Sequence, residues 1–214
     1  MTPSVRSSID AGDADSLRAL VVTDPHCATA LVRWGEGGKH SVPPLHYVCD
    51  AVFRGLATQE EALAMANVLL DAGVDPDELY AASGDTFLIA AASLGAELVG
   101  IRLVEAGADV LARGLFGATA LHWAALMGLA RLTDSLVHRG SPLELRDERY
   151  RCTPLEWALH GWQTGAGLTD RDITGAVRTL RRHGALVPED AVTNLREQSD
   201  DPMREALTAP TDRA

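Results

Sequence analysis

The sequence predicts an all-α fold in which pairs of short helices repeat along the chain. Four similar tetrapeptides recur at intervals of 43, 33 and 34 residues, beginning at Pro43, Thr86, Thr119 and Thr153. A leucine-rich segment follows each tetrapeptide and ends in a glycine, at Gly73, Gly107, Gly140 and Gly184. Aromatic residues make up only 5% of the chain, whereas alanine and leucine are plentiful. This composition favours closely stacked helices over β-sheets.

Each tetrapeptide predicts the start of the first helix of a repeat. Threonine is a good N-cap, and proline is tolerated at the next position, as in Thr153-Pro154. Each glycine predicts the end of the second helix, where a positive φ is needed. Between these signals, Leu98, Ile101 and Val104 recur at helical spacing. One helix pair cannot bury its own faces, so we expect the pairs to stack.

These motifs resemble those of ankyrin repeats. The most similar segments are Thr119-Ala120-Leu121-His122, which opens a repeat, and Leu103-Val104-Glu105-Ala106-Gly107-Ala108-Asp109, which closes one. The resemblance covers residues 40–187. It implies an ankyrin-repeat solenoid of four repeats, at about 40–75, 76–109, 110–142 and 143–187. It also implies a binding module that holds a protein or peptide in its concave groove.

The remaining segments are expected to complete a single solenoid domain over residues 1–198. Residues 9–32 predict a helical N-terminal cap, residues 34–41 an exposed finger and residues 188–198 a C-terminal cap. Residues 199–214 are expected to form a flexible tail. About ten extra residues near 54–61 and again near 163–171 are expected to lengthen the connections between paired helices. They are either neutral insertions or a rim that narrows the groove.

Charge and composition exclude several classes of function. The net charge is −11 and Lys39 is the only lysine, which argues against nucleic acid as a partner. No segment is apolar and long enough to predict a membrane span. The three cysteines, Cys27, Cys49 and Cys152, lack metal-site spacing, and the N-terminus lacks a signal-peptide pattern. We therefore expect a cytoplasmic protein with no metal and no cofactor. Arginine bias and alanine richness favour a GC-rich, bacterial genome.

The third and fourth repeats carry the candidate binding site, and its apolar centre lies in the third. Counting from the motifs places the tips of the later fingers at 80–85, 113–118 and 148–152. These tips and the exposed ends of the first helices are expected to face the concave side. In the third repeat the exposed positions are apolar, which indicates an interaction site unless a finger or the tail covers them. The predicted binding residues are Arg113, Leu115, Phe116, Leu126, Met127, Arg149, Tyr150, His160 and Trp162.

An alternative hypothesis is a small-molecule-binding protein or an unorthodox enzyme. The two insertions would close the groove, and its acid–base groups would be Asp50, Asp85, Glu156 and His160. Glu156 precedes His160 by four residues, so the pair could serve acid–base chemistry or form a local ion pair. A regulatory protein acting on a host or phage target also fits the fold, although no residue indicates one. No catalytic motif is present, so binding is favoured over catalysis.

Four further residues are expected to have structural roles. The resemblance implies that His46 and His122 form hydrogen bonds within and between repeats. Trp123 and Trp157 occupy one motif position in successive repeats and are expected to belong to the core rather than to an aromatic cage. Trp162 is expected to be the most exposed tryptophan.

Overall fold

A computed structural model describes residues 4–79, 84–164, 171–188, 191 and 202–211. The described chain is mostly helical, as predicted. It divides into two compact units, Met1–Asp109 and Val110–Ala214. Among the described residues, no helix has both the length and the apolar character that crossing a bilayer requires.

The described part of the first unit is built from helix pairs arranged in two layers. Its helices are α1 (Val5–Asp10), α2 (Ala14–Thr23), α3 (Pro44–Phe53), α4 (Gln59–Asp71), α5 (Phe87–Ser93) and α6 (Glu97–Glu105). Helices α1, α3 and α5 pack side by side, and α2, α4 and α6 form the second layer. Large side chains without solvent exposure form the core of this unit, among them Leu17, Tyr47, Met65, Phe87 and Leu103.

The N-terminal cap begins earlier than the sequence predicts. Helix α1 starts at a capping box between Ser4 and Ser7, and Ile9 is fully buried. Asp13 caps α2 by accepting a hydrogen bond from the N–H of Ser16. The predicted cap at 9–32 missed α1 because a six-residue helix is too short for a periodic signal.

A β-hairpin forms the finger that the sequence predicts at 34–41. A 3₁₀ helix, Pro25–Ala28, precedes strand β1 (Val32–Trp34), which pairs antiparallel with β2 (His40–Val42). A bridge between Leu79 and Thr86 marks the base of the next finger. Most of that finger, residues 80–83, lies outside the described residues.

The extra residues of the first repeat lie mainly in its helices, not in the loop that the sequence predicts to be longer. Helices α3 and α4 have 10 and 13 residues, whereas α5 and α6 have 7 and 9. Residues 54–58 connect α3 to α4, and residues 94–96 connect α5 to α6. A capping box between Thr58 and Glu61 starts α4. The extra residues therefore lengthen the two helices more than the connection between them.

The described part of the second unit continues the helix pairs and ends in a further helix. Its helices are α7 (Ala120–Leu126), α8 (Ala130–His138), α9 (Pro154–Thr164), α10 (Ile173–Arg182) and α11 (Pro202–Thr208). Helix α7 packs on α9, α8 packs on α10, and α11 packs on α10. The glycines after the second helices have the predicted positive φ, 97° at Gly140 and 94° at Gly184.

The prediction of a flexible tail over 199–214 is wrong for the residues that form α11. Met203, Ala206 and Leu207 recur at helical spacing and are buried. The carbonyl oxygen of Leu207 accepts a hydrogen bond from Arg181 Nε at 3.0 Å, which ties α11 to α10. Most of the predicted cap at 188–198, and residues 165–170 of the second insertion, lie outside the described residues.

Candidate functional site: an aromatic pocket

A pocket of about 330 Å³ opens in the second unit. Two finger tips and the first helices α7 and α9 supply its walls, which are lined by Phe116, Trp123, Leu126, Tyr150, Cys152, Glu156, Trp157 and His160. The volume lies near the lower end of the range for ligand sites, roughly 300–1,000 Å³. The pocket is therefore large enough for one large side chain or a small ligand.

Four aromatic rings surround the pocket, and each ring contacts the next. The ring centre of Phe116 lies 6.3 Å from Trp123 and 5.6 Å from Tyr150. The ring centre of Trp157 lies 5.0 Å from Trp123 and 6.2 Å from Tyr150. The rings meet tilted or edge to face, as aromatic pairs prefer. Trp157 is buried, as predicted, but Trp123 is only partly buried and both line an aromatic pocket. The expectation of core rather than an aromatic cage is therefore wrong for Trp123.

Backbone hydrogen bonds between two fingers place Phe116 beside Tyr150. Phe116 lies in the short 3₁₀ helix Leu115–Gly117 with φ at 67°, a region that bulky residues rarely adopt. Its carbonyl oxygen accepts hydrogen bonds from the N–H groups of Glu148, at 2.9 Å, and Arg149, at 3.3 Å. The unusual conformation is therefore held by the finger of the following repeat.

Asp147, which is not among the residues predicted from the sequence, anchors that following finger. Its buried carboxylate accepts hydrogen bonds from the N–H groups of Tyr150, at 2.6 Å, and Cys152, at 2.9 Å, and from the indole N–H of Trp157, at 3.0 Å. Burial raises the pKa of Asp147, but the hydrogen bonds outweigh burial and leave this pKa below its usual value. The signal that could have identified Asp147 is its position at the start of a tight turn, where an aspartate side chain commonly accepts a hydrogen bond from a backbone N–H a few residues later.

Glu156 caps a helix and is not paired with His160. Its Oε2 accepts hydrogen bonds from the N–H of Thr153 at 2.6 Å and from Arg146 Nη1 at 2.9 Å. The Thr153 hydroxyl in turn accepts a hydrogen bond from the N–H of Glu156, which completes a capping box at the start of α9. His160 is exposed at the pocket edge.

Most of the predicted binding residues lie in or beside the pocket. Four of them line it, namely Phe116, Leu126, Tyr150 and His160. Arg113 and Arg149 lie on the same two fingers. Arg113 forms an ion pair with Glu148 of the other finger at 3.7 Å. The guanidinium of Arg149 lies 5.9 Å from the ring centres of Phe116 and Tyr150. Leu115 is exposed next to Phe116.

Two of the predicted residues lie away from the pocket. Met127 was expected to be exposed, but only 7% of it is, so this prediction is wrong. Arg171 donates a hydrogen bond to its carbonyl oxygen and contacts its sulfur, because the chain entering α10 returns across the end of α7. Trp162 is 38% exposed, as predicted, and is not among the lining residues.

The four residues of the acid–base hypothesis do not come together in one site, because two lie in each unit. Glu156 and His160 line the pocket of the second unit. In the first unit, burial lowers the pKa of His46, while the negative charges of Asp50 and Asp85 raise it less strongly. Asp50 also forms an ion pair with Arg54 at 3.3 Å.

His122 forms the hydrogen bonds that the sequence predicts. Its Nδ1 lies 2.9 Å from the hydroxyl of Thr119, and its Nε2 lies 3.2 Å from the carbonyl oxygen of Cys152. The ring thus caps α7 and holds the finger of the following repeat. Burial lowers the pKa of His122, so the imidazole is neutral at pH 7.

Comparison with known families agrees with this architecture. Residues 55–147 match the family model for ankyrin repeats, in three copies. No curated protein matches the chain. The matched segment contains α4 to α8 and the finger of Phe116, and the helix pair α9 and α10 continues the same pattern beyond it. The match shows that residues 55–147 carry ankyrin repeats, and the motifs and helix pairs outside this segment fit the same repeat pattern.

Proposed function

We propose that the chain binds a protein or peptide partner and that the aromatic pocket takes up a large apolar side chain of that partner. Ankyrin repeats are generally protein-interaction modules. The observation that carries the proposal is the set of four contacting aromatic rings around a pocket of about 330 Å³. Desolvated aromatic pockets with a polar rim are typical of the residues that dominate binding energy at interfaces.

The charges around the pocket favour an acidic residue next to the inserted side chain. The nearby carboxylates already have partners, since Asp147 accepts three hydrogen bonds and Glu156 pairs with Arg146. Arg149 instead lies against two of the rings and forms no ion pair within the described part of the chain. Its guanidinium is available to a carboxylate of the partner.

The pocket is held rigid before any partner arrives. Asp147 fixes one finger, and the carbonyl oxygen of Phe116 fixes the other finger to it. The two fingers therefore lose little conformational entropy when a partner binds, and this favours high affinity.

Selection from a random peptide library on the immobilised full chain tests the proposal. We expect enriched peptides to share an aromatic or large aliphatic residue beside Asp or Glu. Phe116→Asp should weaken their binding by more than about tenfold. Leu186→Asp, at a residue that is 67% exposed and outside the pocket lining, is the matched control and should bind normally. Peptides that bind both variants equally would contradict the proposal.

The small-molecule alternative rests on one observation, namely that His160 and Glu156 line a pocket of ligand size. The capping role of Glu156 weakens it, because this carboxylate already binds Arg146 and the N–H of Thr153. A thermal-shift screen of small metabolites tests it. A ligand whose stabilising effect disappears in His160→Ala would favour the alternative.

A further inference from the structure

A histidine and carboxylate cluster lies on the second helices of the second unit, away from the residues that line the pocket. Asp134 and His138 are one turn apart on α8, and His183 follows the last residue of α10. One possible ligand atom from each of the three residues lies within 4.8 Å of the other two. No local sequence pattern predicts this cluster, because His183 is far from Asp134 in sequence and approaches it only through the packing of α8 on α10.

The distances between these groups are close to those of a metal-binding site. His183 Nε2 lies 2.9 Å from Asp134 Oδ1, and His138 Nδ1 lies 3.4 Å from Asp134 Oδ2. The two imidazole ring centres are 4.8 Å apart. Ligands about 2.0–2.1 Å from a tetrahedral ion are separated from one another by roughly 3.4 Å. Small side-chain rotations would therefore direct all three groups at one ion.

We propose that Asp134, His138 and His183 bind a divalent first-row transition-metal ion of the Zn²⁺ type. Two imidazoles and one carboxylate form a ligand set that suits such ions, whereas Mg²⁺ and Ca²⁺ prefer oxygen ligands. The side chain of His138 is 66% exposed, so an ion can reach the cluster from solvent. Three protein ligands leave a coordination position for water.

The bound ion would link two successive repeats. At present the cluster joins α8 to α10 through the hydrogen bond between His183 and Asp134. His138 Nδ1 also lies 2.9 Å from the carbonyl oxygen of Asp134, within its own helix. The ion would replace these contacts with coordinate bonds. Because it binds the folded state, its stabilising effect should grow with the logarithm of its concentration above Kd.

Calorimetric titration of the untagged full chain with Zn²⁺, after removal of bound metal with a chelator, tests the proposal. We expect one equivalent of Zn²⁺ to saturate the chain, and His138→Ala and Asp134→Asn each to weaken binding by at least about tenfold. His26→Ala, at an exposed histidine of the first unit, is the control and should bind as tightly as the parent.

A second measurement follows thermal unfolding. Zn²⁺ at a hundredfold excess over Kd should raise the Tm of the parent by roughly 5 °C or more, and Mg²⁺ should have no effect. The same Zn²⁺ concentration should raise the Tm of His138→Ala by at most about half as much, because this variant binds at least about tenfold more weakly. The variant is expected to fold because the His138 side chain is exposed. If Zn²⁺ gives neither heat nor a Tm shift, or if both ligand variants bind like the parent, the cluster is only a hydrogen-bonded group and the proposal is wrong.

Discussion

The indole N–H of Trp157 donates a hydrogen bond to Asp147, whose carboxylate also accepts the N–H groups of Tyr150 and Cys152. One buried carboxylate thus connects the first helix of the last repeat to the finger that precedes it. Since Trp157 also packs edge to face against Trp123, the same contact orders both walls of the pocket. Asp147 is accordingly a positioning residue for the candidate site.

Replacing Asp147 by asparagine should therefore destabilise the chain. An amide has one acceptor oxygen in place of two, so at least one of the three N–H groups loses its partner. The expected loss in the free energy of unfolding is about 1–3 kcal/mol, measured by urea denaturation. Glu148→Gln, at the exposed neighbouring acid, should change the stability little. Equal stability of the two variants would show that Asp147 does not hold the finger.

The neutral, buried His122 should make stability depend on pH. Burial lowers its pKa in the folded state, so the unfolded state binds more protons once the pH falls below the unfolded value of about 6.5. The free energy of unfolding should consequently fall between pH 7 and pH 5.5.

His122→Gln tests this, because Gln at the same position can still form a capping box with Thr119 but does not titrate. The variant should show a shallower fall in stability with decreasing pH than the parent. Some dependence should remain, since burial also lowers the pKa of His46. An unchanged slope would mean that His122 does not contribute.

The repeat pattern could be read from the sequence because it is set locally. Thr86 caps α5 and Thr119 shares a capping box with His122 whatever lies far along the chain, and a glycine with positive φ ends each second helix. Counting from these signals placed Phe116 and Tyr150 on adjacent fingers.

The parts that the sequence did not predict depend on contacts between distant segments. Met127 is covered by Arg171, which lies beyond an insertion whose path no local pattern determines. Helix α11 packs against α10 through Met203, Ala206 and Leu207. These three apolar residues lie among polar ones in a helix of only seven residues, so the sequence gives a weak signal for it. Asp147 acquires its role only when Trp157 of the next helix reaches it.

Leu121→Ala should reveal how strongly the second unit depends on its core. Leu121 is fully buried on α7, so truncation leaves a cavity and should cost about 2–5 kcal/mol in the free energy of unfolding. Leu186→Ala, at an exposed leucine of the same unit, should cost far less. If Leu121→Ala melts within a degree or two of the parent, the assigned core is wrong.

Met127→Asp and Phe116→Asp should differ sharply in stability. The first removes buried apolar atoms and buries a carboxylate, a cost that the neighbouring Arg171 offsets only in part. It should destabilise the chain by about 2–5 kcal/mol. The second should be tolerated, because aspartate adopts the left-handed region more readily than phenylalanine does at a φ of 67°. Thermal melts of the two purified variants decide the point. Similar losses in both would contradict the burial assigned to Met127.

The location of binding can be tested with one selected peptide and two double variants. Phe116→Asp with Tyr150→Ser removes two rings of the pocket, whereas Asp50→Ala with Asp85→Ala removes the carboxylates that act on His46 in the first unit. Fluorescence titration should show that the first double variant loses binding by more than about tenfold, because both rings contact the inserted side chain. The second double variant should bind like the parent. The opposite result would locate binding in the first unit and favour the acid–base hypothesis, since the only groups removed there are the two carboxylates that would serve such chemistry.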